Sequence, residues 1–228
     1  MSMISDNLTS VKAQIHAACE EFARPPQAVS LLAVSKTFPA PAVREVYEAG
    51  QRAFGENYIQ EGVEKTLALT DLPDIEWHMI GPIQSNKTRL VAEHFHWAHS
   101  VDRLKIAQRL SEQRPVGLPP LQVCLQVNID GGANKSGCLP SEALGLSLEI
   151  AKLPNMQLRG LMVIPEQAPD FIASCAAFLP AKQLFLSIKQ HISSLDTLSM
   201  GMSADLRAAV KEGSTMVRVG TAIFGSRA

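Results

Sequence analysis

Val29-Ser-Leu-Leu-Ala-Val-Ser-Lys36 is the first strong apolar run of the chain, and Thr37-Phe38-Pro39 follows it. Such a run reads as a buried strand. It ends in an amine, which a buried strand rarely does without a reason. A lysine at the mouth of an apolar sheet loses hydration, and this disfavours its ammonium form. A neutral amine is a nucleophile able to form a Schiff base with a carbonyl compound. The plain alternative is a lysine whose stem lies on apolar surface while its head reaches solvent.

Outward from this run, strand-like segments recur with helical patterns between them. Strands are expected at Val29–Ser35, Arg52–Glu56, Glu76–Ile80, His96–Ser100, Leu121–Asn128, Leu158–Ile164, Thr197–Met200 and Val217–Phe224. Helices are expected at Pro41–Gly50, Asn57–Leu69, Gln84–Glu93, Asp102–Gln113, Pro140–Leu153, Phe171–Ser194 and Ala204–Glu212. Asp102 is the expected N-cap of its helix. Ahead of them Ile4, Leu8, Val11, Ile15, Cys19 and Phe22 recur at the spacing of one helix face. Strands that alternate with helices pair in parallel through crossovers. Eight strands are enough to close a barrel that its own side chains fill. The expected fold is therefore α/β: one (β/α)8 TIM-type barrel over residues 1–228, with an extra helix at 1–24. An open doubly wound sheet is the alternative.

Composition narrows the function classes. The chain has 228 residues, 46 % apolar and 19 % charged, so a sizeable core is available. A formal charge of -1 without a basic block argues against nucleic acid. Cys19, Cys124, Cys138 and Cys175 show no CxxC spacing and read as reduced thiols of a cytoplasmic protein. No apolar stretch is expected to span a membrane.

Chemistry in such a barrel gathers at the C-terminal strand ends, with phosphate sites often after strands seven and eight. Ser199-Met-Gly-Met-Ser203 follows strand seven, with Ser203 the expected cap of the next helix. Gly201 lets backbone approach a ligand, and free N–H groups at a helix start bind phosphate. An ordinary serine-capped turn is the alternative. Arg218-Val-Gly220-Thr221 adds a cation, a glycine and a hydroxyl; Arg218 read alone is equally a salt-bridge arginine. In a closed barrel strand eight lies about 5 Å from strand one. A phosphorylated aldehyde then satisfies Lys36 and both loops at once, and pyridoxal 5′-phosphate is the candidate. Arg218 would face its ring nitrogen.

The segments LLAVSKTFP (31–39), FGENYIQE (54–61), WHMIGPIQSNKTR (77–89), HSVDR (99–103), LQVNID (125–130), NKSG (134–137), LRGLMVIPE (158–166), LSMGMSADLRAAVKEGST (198–215) and VRVGTAIFG (217–225) together resemble the pyridoxal phosphate homeostasis protein family. Its members are similar to the N-terminal barrel of alanine racemase, a fold-type III pyridoxal phosphate barrel. The resemblance implies a covalent aldimine at Lys36. It implies that Ser199, Gly201, Met202, Ser203, Gly220 and Thr221 shape the phosphate site and that Arg218 meets the pyridine nitrogen. Asn57 is a further cofactor contact or, alternatively, the cap of the next helix. The implied function is intracellular vitamin B6 homeostasis, with apo-enzymes as possible recipients and a monomer expected.

Alanine racemases continue into a second domain that supplies a tyrosine, whereas this chain ends at Ala228. Tyr47 and Tyr58 read as packing residues, so Lys36 lacks a convincing second proton-transfer partner. A pyridoxal-phosphate-dependent amino-acid racemase and a Schiff-base aldolase are the enzyme alternatives. A metal site at His94, His96 and His99 is set aside because no spacing completes it. His99 alone could flank the cofactor, and His78 is expected to satisfy a backbone group. Asn128–Gly137 reads as a lid or as a solvent loop.

Overall fold

The structure, a computed structural model, describes residues 3–132 and 134–225. The expected domain limits Met1 and Ala228, and Ala133 of the Gly-rich loop, lie outside the described residues. The elements in order are α1 (Met3–Glu21), β1 (Ser30–Val34), α2 (Ala40–Glu48), β2 (Ala53–Glu56), α3 (Ile59–Ala68), β3 (Glu76–Met79), α4 (Thr88–His94), β4 (Trp97–Val101), α5 (Leu104–Gln113), β5 (Leu121–Val127), α6 (Pro140–Ile150), β6 (Met156–Val163), α7 (Phe171–Lys189), β7 (Thr197–Ser199), α8 (Leu206–Lys211), β8 (Met216–Val219) and α9 (Thr221–Phe224). Each strand pairs in parallel with the next, and β8 returns to β1, with Leu32 opposite Arg218 and Ala33 opposite Val219. The barrel expected from the sequence is closed.

Strand alternation sorts the side chains into two compartments. Leu31, Ala33, Phe54, Trp77, Met79, Val123 and Leu125 point outward and join the helices in one large apolar core. The barrel lumen holds a small apolar cluster of Trp97, Cys124 and Met162, beside buried His78, His99, Ser199 and Arg218. Helix α1 buries Leu8, Val11, Ile15, Ala18 and Cys19, most of its expected face, and packs on α8 and α9.

Several sequence readings are corrected. Strand eight stops at Val219, and Thr221–Phe224 turns into one turn of helix, because Gly220 leaves the extended region at φ −115°, ψ −75°. Asp102 is not an N-cap; Arg103 holds that position, and the Asp102 carboxylate pairs with the Arg103 guanidinium instead. Gln84–Glu93 divides into a 3-10 turn at Ser85–Lys87 and α4. His94 ends α4 and His96 precedes β4, so the two share no strand face. Helix α7, contrary to expectation, is long and apolar enough by length and composition to cross a membrane. Its buried residues Ser174, Cys175, Phe178, Ala181, Phe185 and Ile188 recur every three or four positions, the pattern of a helix laid on a core. Asp170 caps its start by accepting from the Ala173 N–H.

Phe178 is 1 % exposed. Phe178→Ala should therefore lower unfolding free energy by about 3–5 kcal/mol in chemical denaturation, and a loss below about 1 kcal/mol would contradict core packing of α7.

Candidate functional site

At the C-terminal ends of the strands a cavity of about 340 Å³ opens, in the usual range of small-molecule sites. Lys36, Asn57, Met202, Ser203, Arg218, Gly220 and Thr221 line it, with apolar walls from Val34, Phe38, Ile80 and Ile164. Closure of β8 onto β1 brings these sequence-distant groups together. The approach is tight: a Cβ at Gly220 would stand 3.1 Å from the Val34 carbonyl oxygen.

Lys36 lies two residues past β1 and is half-buried. The segment around it is held from behind by charges that the sequence reading missed. Lys65 Nζ, on α3, donates to the Ser35 carbonyl and to Glu56 and Glu61, each at 2.7 Å. The Ser35 hydroxyl donates to Glu56 Oε1 at 2.5 Å, and the Thr37 N–H donates to Glu61 Oε1 at 2.5 Å. Both neighbours of Lys36 are therefore tied down. Thr37 sits at φ 67°, an outlying conformation for a β-branched residue that its surroundings must impose. Glu56 is fully buried, and burial pushes its carboxyl pKa up against the pull of Lys65. The signal was present in the sequence as Glu61 and Lys65 at i,i+4 spacing, but the burial of Glu56 at the end of β2 was not.

Arg218 rises from β8 into the lumen, 5 % exposed. Its Nη1 donates to Ser199 Oγ at 2.8 Å and its Nη2 to the Val163 carbonyl at 2.9 Å. No carboxylate forms an ion pair with it among the described residues, and burial lowers its pKa to about 10. A guanidinium has five N–H donors, so donors remain for a ligand. Asn57 carries a buried Oδ1 without a partner among the described residues. Its alternative role is not realised, since Tyr58 occupies the N-cap of α3.

Past β7, the N–H groups of Ser203 and Ala204 enter no hydrogen bond among the described residues. Ser203 is not the helix cap; Asp205 is, and its Oδ1 accepts from the Met202 N–H. Two expected site residues stand behind the cavity wall. Ser199 is fully buried beneath Arg218, bonded to it and to His99. Gly201 adopts φ +96°, and a Cβ there would stand 2.4 Å from Ala209 Cβ, so it fits the chain onto α8 rather than a ligand. His99 does not reach the cavity, and His78 bonds His99 rather than backbone. Among the described residues no cluster suits a metal ion. Tyr47 donates to Asp74 far from the cavity lining, and Tyr58 is 55 % exposed. Of the Gly-rich loop, the Asn128 N–H donates to the Cys138 carbonyl, and Lys135 pairs with Asp130.

Residues 7–228 match the family model of the alanine racemase N-terminal domain. The chain is 59 % identical over 227 residues to the pyridoxal phosphate homeostasis protein of Pseudomonas aeruginosa, covering 100 % of this chain and 97 % of that one. It is 49 % identical to the protein of the same name from Escherichia coli K12, over 100 % of this chain and 98 % of that one. The chain belongs to the pyridoxal phosphate homeostasis protein family. Among solved structures it superposes on PipY of Synechococcus elongatus with a TM-score of 0.87 at 42 % identity, covering 98 % of this chain and all of that one. A second PipY structure, with PLP bound, gives a TM-score of 0.85 at 40 % identity over the same shares. Alanine racemase of Clostridium difficile shares the fold, with a TM-score of 0.72 at 17 % identity over 97 % of this chain and 57 % of that one.

Two outcomes follow from the charges of this family member. Lys65→Met leaves Glu56 buried without its cation and should cost about 3–5 kcal/mol in urea denaturation; an unchanged midpoint would show that the clamp does not hold the Lys36 segment. His78, His96 and His99 all have pKa values lowered from 6.5, first by burial. Below pH 6.5 the unfolded chain then binds protons that the folded one refuses. Stability should fall from about pH 6.5 downward, by at most about 1.4 kcal/mol per pH unit for each histidine. Thermal melts from pH 7.5 to 5 check it, and rising stability over that range would contradict it.

Proposed function

We propose that this protein binds pyridoxal 5′-phosphate in the cavity, as a Schiff base on Lys36, and serves intracellular cofactor homeostasis by holding the aldehyde and releasing it to apo-enzymes. The observation that carries the reading is the cavity itself: one amine, one buried guanidinium and loop N–H groups share it, and among the described residues no carboxylate forms an ion pair with that guanidinium and those N–H groups enter no hydrogen bond. The residues fit that group on their own chemistry. An unpaired buried guanidinium is costly, and a ring nitrogen or an anion offsets that cost. The orphaned Asn57 Oδ1 and the N–H groups of Ser203 and Ala204 are what a polar ligand satisfies. PipY, 40 % identical, is solved with PLP bound, and the curated relatives carry the homeostasis name.

When bound, the group supplies a reactive aldehyde and an electron-drawing ring. Lys36 presents its amine to the aldehyde. Met202, Ser203, Gly220 and Thr221 would hold the phosphate, while Gly201 and Ser199 shape and support that wall. Arg218 would donate to the ring nitrogen and, unable to accept a hydrogen bond, would favour its unprotonated form, which weakens the ring as an electron sink. Racemisation needs two proton-transfer groups on opposite faces of a carbon. Among the described residues the lining offers Lys36 but no histidine, tyrosine, cysteine or carboxylate, which favours holding over turnover. The protein acts as a cytoplasmic monomer with one barrel domain spanning the chain, and without nucleic acid or membrane.

Titrating the cofactor-free protein with pyridoxal 5′-phosphate should raise a visible imine band that hydroxylamine removes. Lys36→Ala should lack it, and L-alanine added to the loaded protein should keep its optical rotation. A protein that stays colourless at saturating cofactor would refute the reading.

A further inference from the structure

The barrel lumen contains a line of polar groups that reaches from the cavity to the opposite mouth. Arg218 Nη1 lies 2.8 Å from Ser199 Oγ. Ser199 Oγ lies 3.0 Å from His99 Nδ1. His99 Nε2 lies 2.9 Å from His78 Nδ1. His78 Nε2 faces Glu76 Oε2 at 3.6 Å, longer than a direct hydrogen bond. Every intermediate member is buried: Ser199, His99 and His78 are each 0 % exposed. Glu76 is more than half exposed at the far end. The line is a product of strand alternation, since Glu76 and His78 share a face of β3 with Ile80 of the cavity wall.

Its proton order follows from one end. Arg218 can only donate, so Ser199 Oγ accepts from it. Among the described residues the only other partner of that hydroxyl is His99 Nδ1, and the order that leaves the hydroxyl proton with an acceptor has Nδ1 receiving it. An accepting Nδ1 leaves the His99 proton on Nε2, which donates to His78 Nδ1. His78 then carries its own proton on Nε2, turned toward the Glu76 carboxylate. Donors run one way from Arg218 to His78, whose Nε2 has no hydrogen-bond partner among the described residues, and both imidazoles are neutral. His78 stacks on Trp97, with ring centroids 5.2 Å apart and planes 10° from parallel. Arg159 covers the same indole at 4.8 Å while pairing with Asp196. These contacts hold the rings against rotation.

We propose that His99, oriented by His78, is a positioning residue that fixes the Ser199 hydroxyl as an acceptor and thereby aims Arg218 at the ring nitrogen of the cofactor. This rests on the proposed cofactor. The line explains how a guanidinium that forms no carboxylate ion pair among the described residues is held in the lumen. A carboxylate there would cancel the charge on which the ligand depends. A neutral imidazole line orients Arg218 and leaves that charge available.

The test is a double-mutant cycle on cofactor affinity, with tautomers read in the unloaded protein. His99→Leu should weaken pyridoxal 5′-phosphate binding about tenfold, the value of one hydrogen bond, and shift the absorption band of the bound cofactor. His99→Asn keeps a polar group near the Nδ1 position and should restore most of both. In an Arg218→Ala background His99→Leu should add no further loss. An equal loss in both backgrounds, or no loss in either, overturns the proposal. Nitrogen-15 NMR of the cofactor-free wild type should show His78 and His99 neutral with the proton on Nε2. An Nδ1–H tautomer or an imidazolium at either overturns it even where His99→Leu fails to fold. If the wild type binds no cofactor, the functional reading fails, and the tautomers still decide the line separately.

Discussion

The pairing of β8 with β1 is the constraint on which the site depends. Its register, Leu32 opposite Arg218 and Ala33 opposite Val219, is set by the closed barrel. A slip of one residue would turn Arg218 out of the lumen and place Val217 or Val219 there. Gly220 then approaches the Val34 carbonyl closely, a Cβ there standing 3.1 Å from its oxygen, and Lys36 emerges beside the loops that follow β7 and β8. Without closure, the amine and the guanidinium belong to opposite ends of a sheet.

Closure places the groups, and two different devices hold them. Behind Lys36 the device is ionic: Lys65, Glu56 and Glu61 bind both flanking residues and impose a left-handed Thr37. Such a cluster gains rigidity at the cost of desolvating its charges. Behind Arg218 the device is neutral, a serine and two imidazoles packed among Trp97, Cys124 and Met162. The contrast is chemically sensible. The amine must keep its orientation while its own reactivity is free, and the guanidinium must keep its charge for a ligand.

Much of this was legible in the sequence. Eight apolar runs alternating with helical periodicities gave the barrel, and the loops after strands seven and eight gave the site's location. Lys36, Asn57, Met202, Ser203, Arg218, Gly220 and Thr221 line the same cavity. The failures have local physical causes. Val217–Phe224 reads as one apolar strand because β-branched periodicity continues past Gly220, whose backbone turns the chain into a helix. Ser199 and Gly201 have the residue types of a phosphate loop, but parity along β7 points Ser199 into the lumen, and α8 packs against Gly201. The Lys65 clamp and the His99–His78 line join residues 4 to 100 positions apart. Each side chain there has an ordinary alternative on its own strand or helix, and only the barrel shows which applies.

The account stands most directly on where the aldehyde attaches. Borohydride reduction of the cofactor-saturated protein, followed by peptide mapping, fixes the attachment point by mass. The account predicts the added mass on Lys36 alone, within the peptide that ends β1. Label on another lysine, such as Lys135 or Lys65, or no incorporation with Lys36 intact, would contradict it.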